Sequence, residues 1–322
     1  SSEAAVMTSS MSPLPSAIPR TIPRPNDLQS SQRQTTSSRV SPKPEPELPR
    51  PKFRLHLNDL RHPATLSFIS LVPDVASTLD TALKAIVRHL YTPPSLSPNE
   101  SSNAPARKCP RPSFTPCIPP TRSVTVLVRD ISGVAYTTGI ELDDDHKEIH
   151  LSLSYVKTSA ENNPDPAAEI TGVLTHELVH CYQHTTPNGD ESASVPRPPG
   201  GLIEGIADFV RLKAGLEPPH WKRPTSAKER PSKWDQGYQH TAYFLAWLED
   251  VRVGKGAVGM LNDRLLRVGY VGEDSESENQ DTQSFWRGLF GKGISELWEE
   301  YGEYLDRSRN SGNWEDEIIN PE

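Results

Sequence analysis

His176 and His180 stand four residues apart in the stretch Ile170-Thr171-Gly172-Val173-Leu174-Thr175-His176-Glu177-Leu178-Val179-His180. On a helix that spacing puts the two imidazoles about 40° apart on one face and one turn apart along the axis. Two imidazoles so placed can fill two of the four tetrahedral positions around one Zn2+. Glu177 follows the first histidine directly, where its carboxylate can act as general base toward a water whose pKa zinc lowers to ~7. An HExxH pattern alone also arises in ordinary amphipathic helices, so a third ligand has to be found. In Leu202–Val210 (LIEGIADFV) every residue is apolar or glycine except Glu204 and Asp208. These two are again four apart and share one helix face. Burying them unpaired would cost roughly several kcal/mol each, so they require a cation or donors. Zinc for Glu204 and a ligand imidazole N–H for Asp208 satisfy both; Arg211 or Arg252 are the alternative partners. The expected metal ligands are therefore His176, His180 and Glu204, with Asp208 behind them. The same donors would also take Mn2+ or Co2+. Tyr238 and His240 are the nearest supply of a donor for a developing oxyanion, with Tyr238 preferred.

The elements that must carry these residues can be read from hydrophobic period and caps. A helix is predicted over 166–185, with Asp165 as N-cap and Pro166 in its first turn. Ile170, Val173, Leu174 and Cys181 give it an apolar face, so it should be largely buried. On a helix continuing that far, His184 would lie about 12 Å along the axis from His176, which argues for a structural role and against ligation. Upstream, alternation predicts strands at 53–57, 123–128, 133–137 and 148–153, and Asp74 caps a helix over 74–91. The strand at 148–153 alternates polar and apolar residues and reads as an edge or half-exposed strand, along which an extended peptide could add. Downstream, helices are predicted over 201–214, 235–250, 256–268 and 294–306. Strands first and helices later indicate an α+β class: an N-terminal mixed sheet, the helix bearing the site, and a mainly helical C-terminal part.

Composition bounds the rest. Of 322 residues only 34% are hydrophobic and 32 are proline, so part of the chain stays outside a core. Residues 1–50 are Ser/Pro-rich and read as a disordered tail. A domain over 51–308 follows, with a loop insertion at 92–121, an acidic loop at 272–283, and a polar C-terminal tail at 309–322. The 34 basic against 42 acidic residues give a net charge of −8, which argues against a nucleic-acid partner. No apolar run approaches the ~20 residues of a membrane span. The N-terminus lacks the continuous apolar core of a secretory signal, and the residues leave the compartment and the oligomeric state undecided. Cys109 and Cys117 flank a Pro-rich loop and could be bridged, while Cys181 reads as a buried thiol.

The block Pro199–Gly215 (PGGLIEGIADFVRLKAG) resembles the basic secretory protein family, as do Gly172–Glu177 with His180 and Gln183, Trp234–Tyr238 (WDQGY), Gly133–Tyr136 and Glu148–His150. The resemblance extends over about residues 53–305. It implies a zincin-like metallopeptidase fold, members in plants and fungi, a secreted location and an association with defence. Glu204-x-x-x-Asp208 also resembles the second motif of gluzincins, which implies that Glu204 is the third zinc ligand and that Asp208 orients His176. The function expected is therefore a zinc-dependent peptidase acting on peptide or protein substrates. The alternative is a zinc-binding, weakly or non-catalytic defence-related protein on the same fold.

Overall fold

In the computed structural model the chain divides into two units, Ser1–Pro42 and Lys43–Glu322. The structure describes residues 46–94, 112–187, 197–271 and 284–311. Most of the expected tail, the Cys109 half of the proposed disulfide, the acidic run at 272–283 and residues 312–322 lie outside the described residues.

Four strands form one sheet: β1 (Lys52–Leu57), β2 (Ser123–Arg129), β3 (Ala135–Ile140) and β4 (Asp143–Ser152), in the order β1-β2-β4-β3. β1, β2 and β4 are parallel, and β3 returns antiparallel against β4. The strand expected as an edge, 148–153, is therefore interior: β4 pairs with β2 on one side and β3 on the other. The period of two was read correctly, but pairing order is a non-local property that alternation does not encode. The outer edge of β3 carries no further strand among the described residues. Val124, Val126, Val128, Ile149 and Leu151 are fully buried and supply the sheet's contribution to the core.

Helices α1 (Pro63–Leu71) and α2 (Val75–Ile86) connect β1 to β2. The Asp74 carboxylate caps α2 by accepting from the Ser77 amide. α3 (Leu153–Asn162) starts directly from the end of β4, with the Ser152 hydroxyl accepting from the Tyr155 amide. α4 (Pro166–His180) begins as expected, capped by Asp165 on the Ala168 amide. It packs against β3 and β4 on one side and against α1, α2, α3 and α5 (Gly200–Lys213) on the others. Ile170, Leu174, Leu178 and Val179 are accordingly fully buried. α4 ends at His180, five residues short of the expectation, because Cys181 and Tyr182 close it with tighter turn hydrogen bonds. α6 (Tyr238–Trp247) starts three residues later than expected and runs into a π-helical turn over Leu248–Arg252. α7 (Ala257–Arg267), the short α8 (Phe285–Phe290) and α9 (Ile294–Ser311) complete the helical part. Phe244 of α6 packs on Trp286, Trp298 and Tyr301, which joins α6, α8 and α9 through their aromatic rings. No helix among the described residues is long and apolar enough to cross a membrane.

Candidate metal centre

α4 and α5 bring His176, His180 and Glu204 to one point, with one ligand atom from each within 4.8 Å of the others. His176 Nε2 lies 3.1 Å from His180 Nε2 and 3.0 Å from Glu204 Oε2, and His180 Nε2 lies 3.6 Å from the same oxygen. Donors bound ~2.0–2.1 Å from a tetrahedral metal would be separated by about 3.3 Å. The three atoms thus outline one face of such a tetrahedron, and two imidazoles with a carboxylate suit zinc and neighbouring divalent ions.

Each histidine is held through its other nitrogen. Asp208 Oδ1 lies 2.6 Å from His176 Nδ1, deep in the protein. Gln183 Oε1 lies 2.6 Å from His180 Nδ1, while its Nε2 donates to the Ile203 carbonyl at 3.1 Å. That second bond fixes which end of the amide faces His180. Both Nδ1 atoms are therefore placed as donors, and both Nε2 atoms face the shared centre. Neither arginine considered for the carboxylates is used there: Arg211 pairs with Glu169 and Arg252 with Glu300.

Glu177 stands beside the three converging atoms and is not one of them. Its Oε2 lies 2.7 Å from the Thr137 hydroxyl of β3, which is also 2.9 Å from the Glu177 carbonyl. The edge strand thus positions the carboxylate. Nothing local in the sequence pointed to Thr137, since the contact spans 40 residues. Gln183 had a legible signal, three residues after His180 at the helix end.

Tyr238 faces the site from the start of α6, its ring stacked on His176 at 6.1 Å and 16°. Gly237 has φ +89° and Tyr238 φ +47°, a left-handed conformation in which a bulky side chain is an outlier. Close packing against α5 sets this turn: a Cβ on Gly201 would lie 1.8 Å from the Asp235 carbonyl oxygen, and one on Gly205 would lie 2.3 Å from Thr241. The Thr241 hydroxyl caps the turn, accepting from the Gly237 amide and donating to the Trp234 carbonyl. His240 lines the same cleft, and burial lowers its pKa. His184 is turned away. Because α4 has already ended, distance along its axis is not what keeps His184 from the centre; His184 instead bonds the Cys117 carbonyl at 2.8 Å and packs edge-on against Tyr91.

The electrostatics follow from this geometry. Burial works against charge on His176, yet its hydrogen bonds to Asp208 and Glu204 hold its pKa up at about 9. Burial likewise opposes ionisation of Glu204, but its bonds to His176 and His180 hold it down at about 2. The two shifts have one cause: the converging atoms favour a positive charge among them, whether proton or metal ion. Charge on Glu204, then burial, raises the Tyr238 phenol above its ordinary value. The whole centre opens into a cleft of about 930 Å3.

The model of the BSP family, described as peptidases of plants and bacteria, matches residues 50–301. That description names bacteria where the resemblance had suggested fungi. Searches of curated proteins and of solved structures give no match.

Proposed function

The chain belongs to the BSP family of peptidases, and from that premise we propose that it hydrolyses peptide bonds with a zinc ion held by His176, His180 and Glu204. Convergence of these three donors, with Glu177 next to them but outside the set, carries the reading. A purely structural ion would have no use for that carboxylate. When bound, zinc supplies a Lewis acid that polarises the scissile carbonyl and makes water acidic enough to lose a proton near neutral pH. Glu177 accepts that proton and returns it to the leaving amine. Asp208 and Gln183 keep both imidazoles facing the metal, and Thr137 keeps the Glu177 carboxylate turned toward it. Tyr238 donates its hydroxyl to the oxyanion as it develops. The substrate backbone adds antiparallel along the free edge of β3, in place of the 148–153 strand expected from the sequence.

The test is metal content by mass spectrometry together with cleavage of a peptide mixture, for wild type, Glu204→Ala and Glu177→Gln. About one zinc per chain in wild type and in Glu177→Gln, reduced in Glu204→Ala, with cleavage by wild type only, is the expected pattern. Zinc bound without any cleavage would leave the weakly catalytic binding protein as the better reading. Full zinc retention by Glu204→Ala would remove the three-ligand assignment.

A further inference from the structure

The cleft runs past the metal centre toward the N-terminus of α4, and that end is lined by the ion pair of Arg211 with Glu169. Arg211 is only 6% exposed, yet it lines the cleft. Its Nε donates to the Leu216 carbonyl and its Nη2 to Glu169, each at 3.1 Å. The other Glu169 oxygen accepts from the Tyr155 hydroxyl at 2.6 Å, and the Trp221 ring lies 5.3 Å from the guanidinium carbon. Gly172 makes room for this: a Cβ there would lie 2.5 Å from Arg211 Nε. Gly172 is one turn before His176, so the guanidinium lies about 6 Å along the helix from the first histidine. Its remaining nitrogen, Nη1, makes no hydrogen bond among the described residues and is not one of the fully buried unpaired atoms, so it keeps some exposure.

Direction along β3 tells which part of a substrate meets this group. Thr137 stands beside Glu177, and Val134, just before β3, bonds the end of β4 at the Ser152 amide. Tyr155 follows three residues later. A strand antiparallel to β3 therefore carries the residues after the scissile bond toward Val134, Tyr155 and Arg211. Resting on the peptidase reading above, we infer that Arg211 Nη1 is the specificity-determining group for the residue that follows the scissile bond, and that it selects an uncharged amide side chain, Gln or Asn. A guanidinium only donates, so its partner must accept. An apolar side chain would bury Nη1 unpaired, and a cationic one meets like charge. A carboxylate is disfavoured because Glu169 already balances Arg211. The three carboxylates of Glu177, Glu204 and Asp208, which line the same cleft, more than balance a dication.

The experiment compares four blocked peptides, Ac-Ala-Ala-Ala-Xaa-Ala-Ala-NH2 with Xaa as Gln, Leu, Lys or Glu, on the zinc-loaded full chain. Mass spectrometry locates the cut. The expected result is a kcat/KM for Gln at least about tenfold above the others, because a site built to bond an acceptor rejects analogues that lack it. Arg211→Lys keeps a charge for Glu169 but loses the planar fork. It should reduce the Gln advantage to less than about threefold. Leu cleaved best, or all four equally, by wild type overturns the inference even if the variant does not fold. If wild type cleaves none of them, the peptidase reading fails. Binding of the same four peptides to zinc-loaded Glu177→Gln, followed by fluorescence anisotropy, then decides this inference separately: tighter Gln binding supports it and equal binding overturns it.

Discussion

Asp208 and Gln183 decide which nitrogen each histidine turns toward the proposed metal, so their loss should be felt at the ion and hardly at all in the fold. Asp208→Ala is expected to weaken zinc binding by about 10–100-fold in a chelator competition, with the circular dichroism spectrum unchanged. An unaltered affinity would mean that His176 is oriented by its packing alone. Protonation gives a second expectation. His176 is held at about 9, above its ordinary 6.5, so below pH 9 zinc must displace a proton from it. Apparent affinity should rise about tenfold per pH unit as pH approaches 9 and level off beyond it. On the stability of metal-free protein the sign is reversed. A raised histidine pKa contributes fully below pH 6.5, and that contribution is lost as pH climbs through 9. Zinc-free protein should therefore melt progressively lower across that range. Thr137 offers a kinetic counterpart: with Glu177 as the proposed base, Thr137→Val should lower kcat by roughly tenfold with zinc content held.

Among the elements, α5 has the least freedom. Its Gly201 and Gly205 let Asp235 and Thr241 approach the helix where any side chain would collide with them. Gly205→Ala would place a methyl 2.3 Å from Thr241 Cγ2 and is expected to cost about 1–3 kcal/mol in urea unfolding, with weaker zinc binding as Glu204 is displaced. Stability and zinc affinity both equal to wild type would show that α6 can move aside. Helix spacing made His176, His180, Glu204 and Asp208 legible, because each pair repeats at one turn on an apolar background. Pairing order was not legible: β3 (AYTTGI) is short and polar, and nothing in its own residues marks it as the edge beside the metal. α3 is not legible because it starts directly after the last residue of β4 with no turn signal between them. The Glu169–Arg211 pair joins residues 42 apart, beyond the reach of any periodicity.

For the molecule as a whole, the buried Glu249 tests how much of the core tolerates charge. Burial raises its pKa to about 7, while its carboxylate accepts from the Val258 amide at 3.1 Å. The folded state therefore holds this proton between pH 4.5 and 7 where the unfolded chain does not, and stability falls with rising pH over that window. Glu249→Gln keeps an acceptor for Val258 without the charge. It should raise stability at pH 8 by on the order of 1–3 kcal/mol and flatten the decline, as read from thermal melts between pH 5 and 8. The arrangement of the proposed metal ligands along the chain has a consequence for the whole fold as well. His176 and Glu204 are 28 residues apart and belong to different helices, so an ion held between them closes a loop as a covalent staple would. By the chain-entropy relation, closing a loop of that length removes about 3–4 kcal/mol of freedom from the unfolded ensemble. With only three cysteines in 322 residues, cross-linking of this protein would rest on coordination more than on sulfur, and a chelator would act on it much as a reductant acts on a disulfide-bonded protein.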